Sequence, residues 1–135
     1  MQTPQTLVPA SRKDNQPHNN VQIEVIQGGL CDDTLINLYP PIVHETTRMT
    51  GIRHTNGVIS MARNEPGTAS TEFFICIGDQ PSLDYKGNRN PDGQGFAAFG
   101  KVTSGMEVVR DIQSHTDTAQ YLLKPVLIQE MKVIP

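Results

Sequence analysis

Residues Pro66–Gly78 read "PGTASTEFFICIG", a run of small and hydroxylated residues set directly against the most apolar segment of the chain. Phe73-Phe74-Ile75-Cys76-Ile77 has the aromatic and β-branched content of a strand, and the residues before it have the composition of a loop. One reading is plain: a core strand has to begin somewhere. The other makes the loop and the first aromatic pair one wall of a binding site, with backbone donors above and a phenyl floor below.

Outward from this stretch the chain reads as short strands joined by loops. In "VQIEVIQGG", Val21, Ile23 and Val25 alternate with Gln22, Glu24 and Ile26, the period of a strand with one buried face, and Gly28-Gly29 end it. "NG" at 56–57 marks a turn into the strand "VISMA", and "FAAFGKV" and "VLIQEMKVI" supply further strands. "SGMEVVRDIQSH" is the convincing helix: Ser104 and Glu107 have capping-box spacing, and Met106, Val109 and Ile112 recur at helical intervals. Residues 30–56 read as irregular, broken at "YPP", with a short strand at Ile42–Glu45, and "GDQPSLDYKGNRNPDGQG" is too polar and glycine-rich for a helix. The polar, proline-punctuated residues 1–20 read as an irregular arm, and 21–135 as one domain. Several strands with one helix near the end describe a mainly β protein, an antiparallel barrel or sandwich carrying a helix.

A chain of 135 residues fits one domain and can bury a core without metal or disulfide. Its net charge of -3, with no Lys/Arg block, argues against nucleic acid or an anionic membrane as partner. No stretch approaches the ~18 continuous apolar residues of a membrane helix. The N-terminal residues hold no apolar signal-peptide core, which points to cytoplasmic residence. Cys31 and Cys76 are the only cysteines; Cys76 falls inside the apolar strand, where it reads as a small buried hydrophobe.

The other motifs fail on chemistry. "HETTR" at 44–48 has Arg48 where a zinc-protease motif needs its second histidine. "NRNPDGQGFAAF" has calcium-loop oxygens but Phe99 in place of the bidentate glutamate. No Ser/His/Asp order is legible, and "GTAST" lacks a P-loop lysine and leads into a strand rather than a helix. No metal and no cofactor is expected.

"VISMARNEPGTASTEFFICIGD" and "GQGFAAFGKVTSGMEVVRDI" resemble, in order and register, the cyclophilins, a family of peptidyl-prolyl cis/trans isomerases, and "VIQGG" resembles the segment bearing that family's active-site glutamine. The resemblance covers about Asn15 to Pro135, and the long loop is similar to that of a bacterial branch. It implies a cyclophilin-like antiparallel β-barrel with a helix, lacking the family's first strand, first helix and second strand. It also implies proline-containing peptides or unfolded proteins as partners. Rotation about an X-Pro bond needs no nucleophile, proton transfer or cofactor. It needs a socket for the proline ring, backbone groups that pin the flanking peptide, and donors that favour the twisted amide.

By the same resemblance, Phe74 forms the socket floor with Val25 and Leu83 beside it, and Gln27 hydrogen-bonds the substrate backbone. Ala62 and Arg63 pair with the bound peptide, and "PGTAST" rims the pocket for the residue before proline. Glu72, Arg63, Ser82 and Phe96 stand where family members often carry glutamine, asparagine, tryptophan and histidine, with Glu72 and Phe96 on the substrate side. Counting back from Gln27 puts Pro9 at the position of the family's catalytic arginine, with Arg12 three residues later. Two functions follow: a folding-assisting isomerase of X-Pro bonds, or a catalytically weak module that binds proline peptides. Absent strands would also leave sheet edges open to self-association.

Overall fold

A computed structural model describes residues 5–10, 19–115, 117–118, 121–122 and 126–135. The strands are β1 (Gln5–Ala10), β2 (Val25–Gly29), β3 (Val58–Met61), β4 (Phe73–Cys76), β5 (Ala97–Lys101), β6 (Asp117–Thr118), β7 (Tyr121–Leu122) and β8 (Val126–Ile128). Six form one antiparallel sheet in the order β5-β3-β4-β2-β1-β8, and β6 pairs with β7. Helix α1 spans Asp33–Ile36, α2 spans Thr47–Thr50 and α3 spans Met106–Gln113, with a 3-10 turn at Pro81–Leu83. The mainly antiparallel β architecture with a late helix is the expected fold class.

Both faces of the sheet are covered. Val25 packs with Phe74, Cys76 and Leu83, while its neighbour Ile26 packs with Ile77, Val109 and Ile112 beneath α3. The expected alternation of β2 is therefore replaced by two adjacent buried residues, because each face of this central strand meets its own core. Each such side chain contributes ~1.5–3 kcal/mol by leaving water. Val109 and Ile112 form the apolar stripe of α3 as its periodicity predicts.

Four expectations are corrected. Residues Gln5–Ala10, inside the expected irregular arm, form β1, paired with β2 on one side and β8 on the other. Pro9 breaks the local strand pattern and cannot donate to a ladder, so pairing on both sides and not local propensity sustains this strand. Ile42–Glu45 is not a strand; it is tied to neighbouring loops by hydrogen bonds from the Ile42 N–H to the Ala69 carbonyl, 2.8 Å, and between His44 Nε2 and the Gln94 carbonyl, 3.2 Å. The surrounding segment instead forms α1 and α2, capped by the side chains of Asp32 and Thr46. The capping box of α3 does not form: Gly105, at φ +100°, is the N-cap, which shifts Glu107 one position too close to the cap. Finally, only Val126–Ile128 of the last apolar run is strand, and the exposed Val133 and Ile134 lie beyond it.

Candidate active site

One row of residues crosses the centre of the sheet. Gln27 of β2 lies opposite Phe74 of β4, and Phe74 lies opposite Ser60 of β3. Directly opposed residues of an antiparallel ladder share a face, so Gln27 and Phe74 present their side chains to the same side, with Val25 and Cys76 two residues along. Phe74 is 5% exposed and belongs to a core cluster with Val25, Cys76 and Leu83, against which Ile23, Ala62 and Phe96 pack. The Phe96 ring meets it edge-on, centroids 5.4 Å apart and planes at 89°, the arrangement aromatic quadrupoles favour. The Phe96 N–H donates to the Leu83 carbonyl at 3.0 Å, which ties the two walls of the socket together.

Behind Phe74 is a network that the sequence did not reveal. His54, 1% exposed, stacks on the Phe74 ring. Its Nδ1 is 2.8 Å from Asp84 Oδ1 and its Nε2 2.8 Å from Ser60 Oγ. Asp84 Oδ1 also accepts the His54 backbone N–H at 2.8 Å. Burial pushes the imidazole below the usual histidine range, partly opposed by the Asp84 hydrogen bond and charge. A neutral ring then donates from Nδ1 to the carboxylate and accepts the Ser60 hydroxyl at Nε2. These are the residue types of a hydrolase triad, brought together by the fold although no such order is legible in the sequence. Ser60 nonetheless has no exposed surface and sits mid-strand, so no scissile carbonyl can reach it. The network stiffens the back of the socket.

Three expected binding residues are engaged within the protein. The Ala62 N–H donates to the Glu72 carbonyl at 3.0 Å, which leaves pairing with a bound strand to the Ala62 carbonyl and the Arg63 peptide unit. The Glu72 carboxylate accepts the Leu30 N–H at 2.8 Å and the Thr71 hydroxyl at 3.1 Å, and braces the end of β2. Gly29 makes this possible: at φ +150°, a Cβ there would lie 2.2 Å from Glu72 Oε1. The Arg63 side chain is 1% exposed and stands with its guanidinium carbon 4.8 Å from the centre of the Phe96 ring.

The counted arginine position needs refinement. In the β1–β2 register, Val8 pairs with Gln27, Pro9 with Ile26 and Ala10 with Val25. Position 8 thus lies in the row of Gln27 and position 10 in that of Val25, while position 9 lies in the row of Ile26. None of the three residues carries a donor side chain, and Arg12 lies outside the described residues.

A separate cleft of about 440 Å³, lined by Arg48, Arg53, Lys86, Tyr85 and Asp84 among others, contains none of the expected site residues. Its lining is largely cationic, whereas the cluster around Phe74 is apolar. Among the described residues no cluster of three His, Cys, Asp or Glu side chains could hold a metal, and no helix is long and apolar enough to cross a membrane.

Residues 10–133 match the family described as cyclophilin type peptidyl-prolyl cis-trans isomerase/CLD. The chain is 32% identical over 128 residues to peptidyl-prolyl cis-trans isomerase cyp18 of Streptomyces antibioticus, covering 87% of this chain and 74% of that protein. It is 40% identical over 101 residues to peptidyl-prolyl cis-trans isomerase A of Dickeya dadantii, covering 70% of this chain and 50% of that protein. With a peptidyl-prolyl cis-trans isomerase of Acinetobacter baylyi it shares 34% over 120 residues, 87% of this chain and 61% of the other. The chain thus spans between half and three quarters of these relatives, and the match and the antiparallel fold agree: it belongs to the cyclophilin-type peptidyl-prolyl cis-trans isomerases.

Proposed function

We propose that this chain seats the proline of flexible or unfolded protein segments against Phe74 and catalyses rotation about the preceding X-Pro bond. The observation that carries this reading is the pairing of Gln27 with Phe74 on one face of the sheet, over a socket walled by Val25, Leu83, Ala62 and Phe96. The barrier to rotation, ~18–20 kcal/mol, comes from amide resonance. Phe74 and Phe96 hold the ring in an apolar site, while the Gln27 carboxamide fixes the substrate backbone, so that the acyl half turns against an anchored ring. A short Ala-Pro peptide followed by NMR exchange tests it: added protein should speed interconversion.

A second observation bears on the rate. No donor side chain stands at position 8, 9 or 10, and the loss of one preorganised donor typically costs ~10²–10³ in rate. Catalysis is accordingly weak relative to proline-peptide binding, and the binding-module reading is the limit of the same account. Self-association, where it occurs, falls to the outer strands β5 and β8, which carry the exposed Phe99 and Leu127. Light scattering showing a monodisperse monomer at high concentration would remove that last element.

A further inference from the structure

Asp92 belongs to the long loop and was not among the expected site residues, yet it organises the socket. Arg63 grips its carboxylate with both nitrogens, Nη1 to Oδ2 and Nη2 to Oδ1, each 3.1 Å. Asp92 Oδ1 also accepts the Gln94 N–H at 2.9 Å. Arg63 Nε and Nη2 reach the Gly95 carbonyl at 2.9 and 2.7 Å, and Nη1 reaches the Asn64 carbonyl at 2.7 Å. These contacts engage all five guanidinium N–H groups, so Arg63 has none left for a twisting substrate amide. The buried guanidinium stacks on Phe96, and Phe96 stands edge-on to Phe74. Gly95 lets the loop seat closely: at φ +65°, a Cβ there would come within 2.6 Å of the Leu83 carbonyl.

We infer that Asp92 is a positioning residue: by chelating Arg63 it fixes Phe96 as the side wall of the socket and so sets the size of ring the socket accepts. This rests on the function proposed above. The chain of contact runs from carboxylate to guanidinium to Phe96 to Phe74. A wall fixed in this way fits a five-membered proline ring and discriminates against its six-membered homologue, pipecolic acid, whose preceding amide also interconverts between cis and trans. Asparagine at position 92 keeps the shape but turns an NH₂ toward the guanidinium, so the two-point grip is lost. Lysine at position 63 keeps the charge without the planar fork.

The test compares wild type, Asp92→Asn, Asp92→Glu and Arg63→Lys on Ala-Pro and Ala-pipecolyl peptides, together with the NOE between the Phe74 and Phe96 rings in peptide-free protein. Asp92→Asn should raise KM for the proline peptide roughly fivefold, the loss of a charge-assisted contact, while changing kcat less than twofold. It should also narrow the preference for proline over pipecolyl, and weaken the ring–ring NOE. Asp92→Glu should recover part of each, and Arg63→Lys should mimic Asp92→Asn. An active wild type with unchanged KM, preference and NOE in Asp92→Asn overturns the inference alone. A wild type silent on both peptides refutes the function and the ring selectivity with it, and the NOE, read without peptide, still decides whether Asp92 holds Phe96.

Discussion

His54 lies face to face with Phe74, the ring centroids 6.0 Å apart and the planes within 15° of parallel. The imidazole is neutral in the folded state because burial lowers its pKa from the ordinary 6.5. The unfolded chain therefore takes up a proton near pH 6.5 that the folded chain refuses, and stability rises with pH through that window. Thermal unfolding should show a melting temperature that is steady from neutral pH upward and falls as pH drops below 6.5, until the lowered folded value is reached. His54→Gln should melt lower throughout and lack this slope; an unchanged slope would place the titration elsewhere. Asp92 acts in a more acidic window. The Gln94 N–H, then Arg63, hold its carboxyl below the ordinary 3.8, so its contribution is present above that pH and lost as pH falls through the lowered value.

The two thiols should differ sharply in reactivity. Burial, with the charges of Asp84 and Asp79, pushes Cys76 up to about 12, whereas Cys31 is exposed. A thiolate is the species that is alkylated. Intact-mass measurement after iodoacetamide should show a single adduct at Cys31 in native protein and a second, at Cys76, only in denaturant. Native modification of Cys76 would contradict the described core.

Phe74 belongs to the core as well as to the proposed socket, so its substitutions must be graded. Phe74→Ala should cost about 3–5 kcal/mol of stability in chemical denaturation, and Phe74→Leu less, through smaller lost volume. Both should weaken peptide binding more than Gln27→Ala, because Gln27 is only part-buried and its amide orients the peptide rather than burying it. Equal binding by Phe74→Leu and wild type would remove Phe74 from the site.

Gly29 and Glu72 should prove coupled. Gly29→Ala displaces the Glu72 carboxylate from the Leu30 N–H and should destabilise by ~1–2 kcal/mol, whereas in a Glu72→Ala background the added cost should shrink to that of the backbone conformation. Strict additivity in the double-mutant cycle would show that the two residues do not meet.

What the sequence made legible was local. Strands β3, β4 and β5 announce themselves by apolar composition and turn signals and the stripe on α3 by helical period, while family resemblance pointed to Phe74 as the candidate socket floor. β1 did not, because Pro9 interrupts its pattern and its support comes from β2 and from the distant β8. The Ser60–His54–Asp84 network and the Arg63–Asp92 grip join residues from separate elements. No spacing signals them, since each exists only once the sheet has brought loops together. Register likewise places positions 8 and 10, rather than Pro9, opposite Gln27 and Val25. An arginine at position 8 or 10, in the rows of Gln27 and Val25, should raise kcat/KM more than one at position 9, and peptide exchange rates in Ala10→Arg and Pro9→Arg would show it.

The central claim is that the face shared by Gln27 and Phe74 holds a prolyl ring while its amide turns. Two-dimensional NMR exchange on a short Ala-Pro peptide, at increasing protein concentration, tests it most directly. The account predicts an exchange rate that grows in proportion to wild-type protein, reaches only a small fraction of the rate of a relative bearing the arginine, and falls to background with Phe74→Leu. Exchange that stays at the uncatalysed rate at every concentration, or that is the same for wild type and Phe74→Leu, would contradict it.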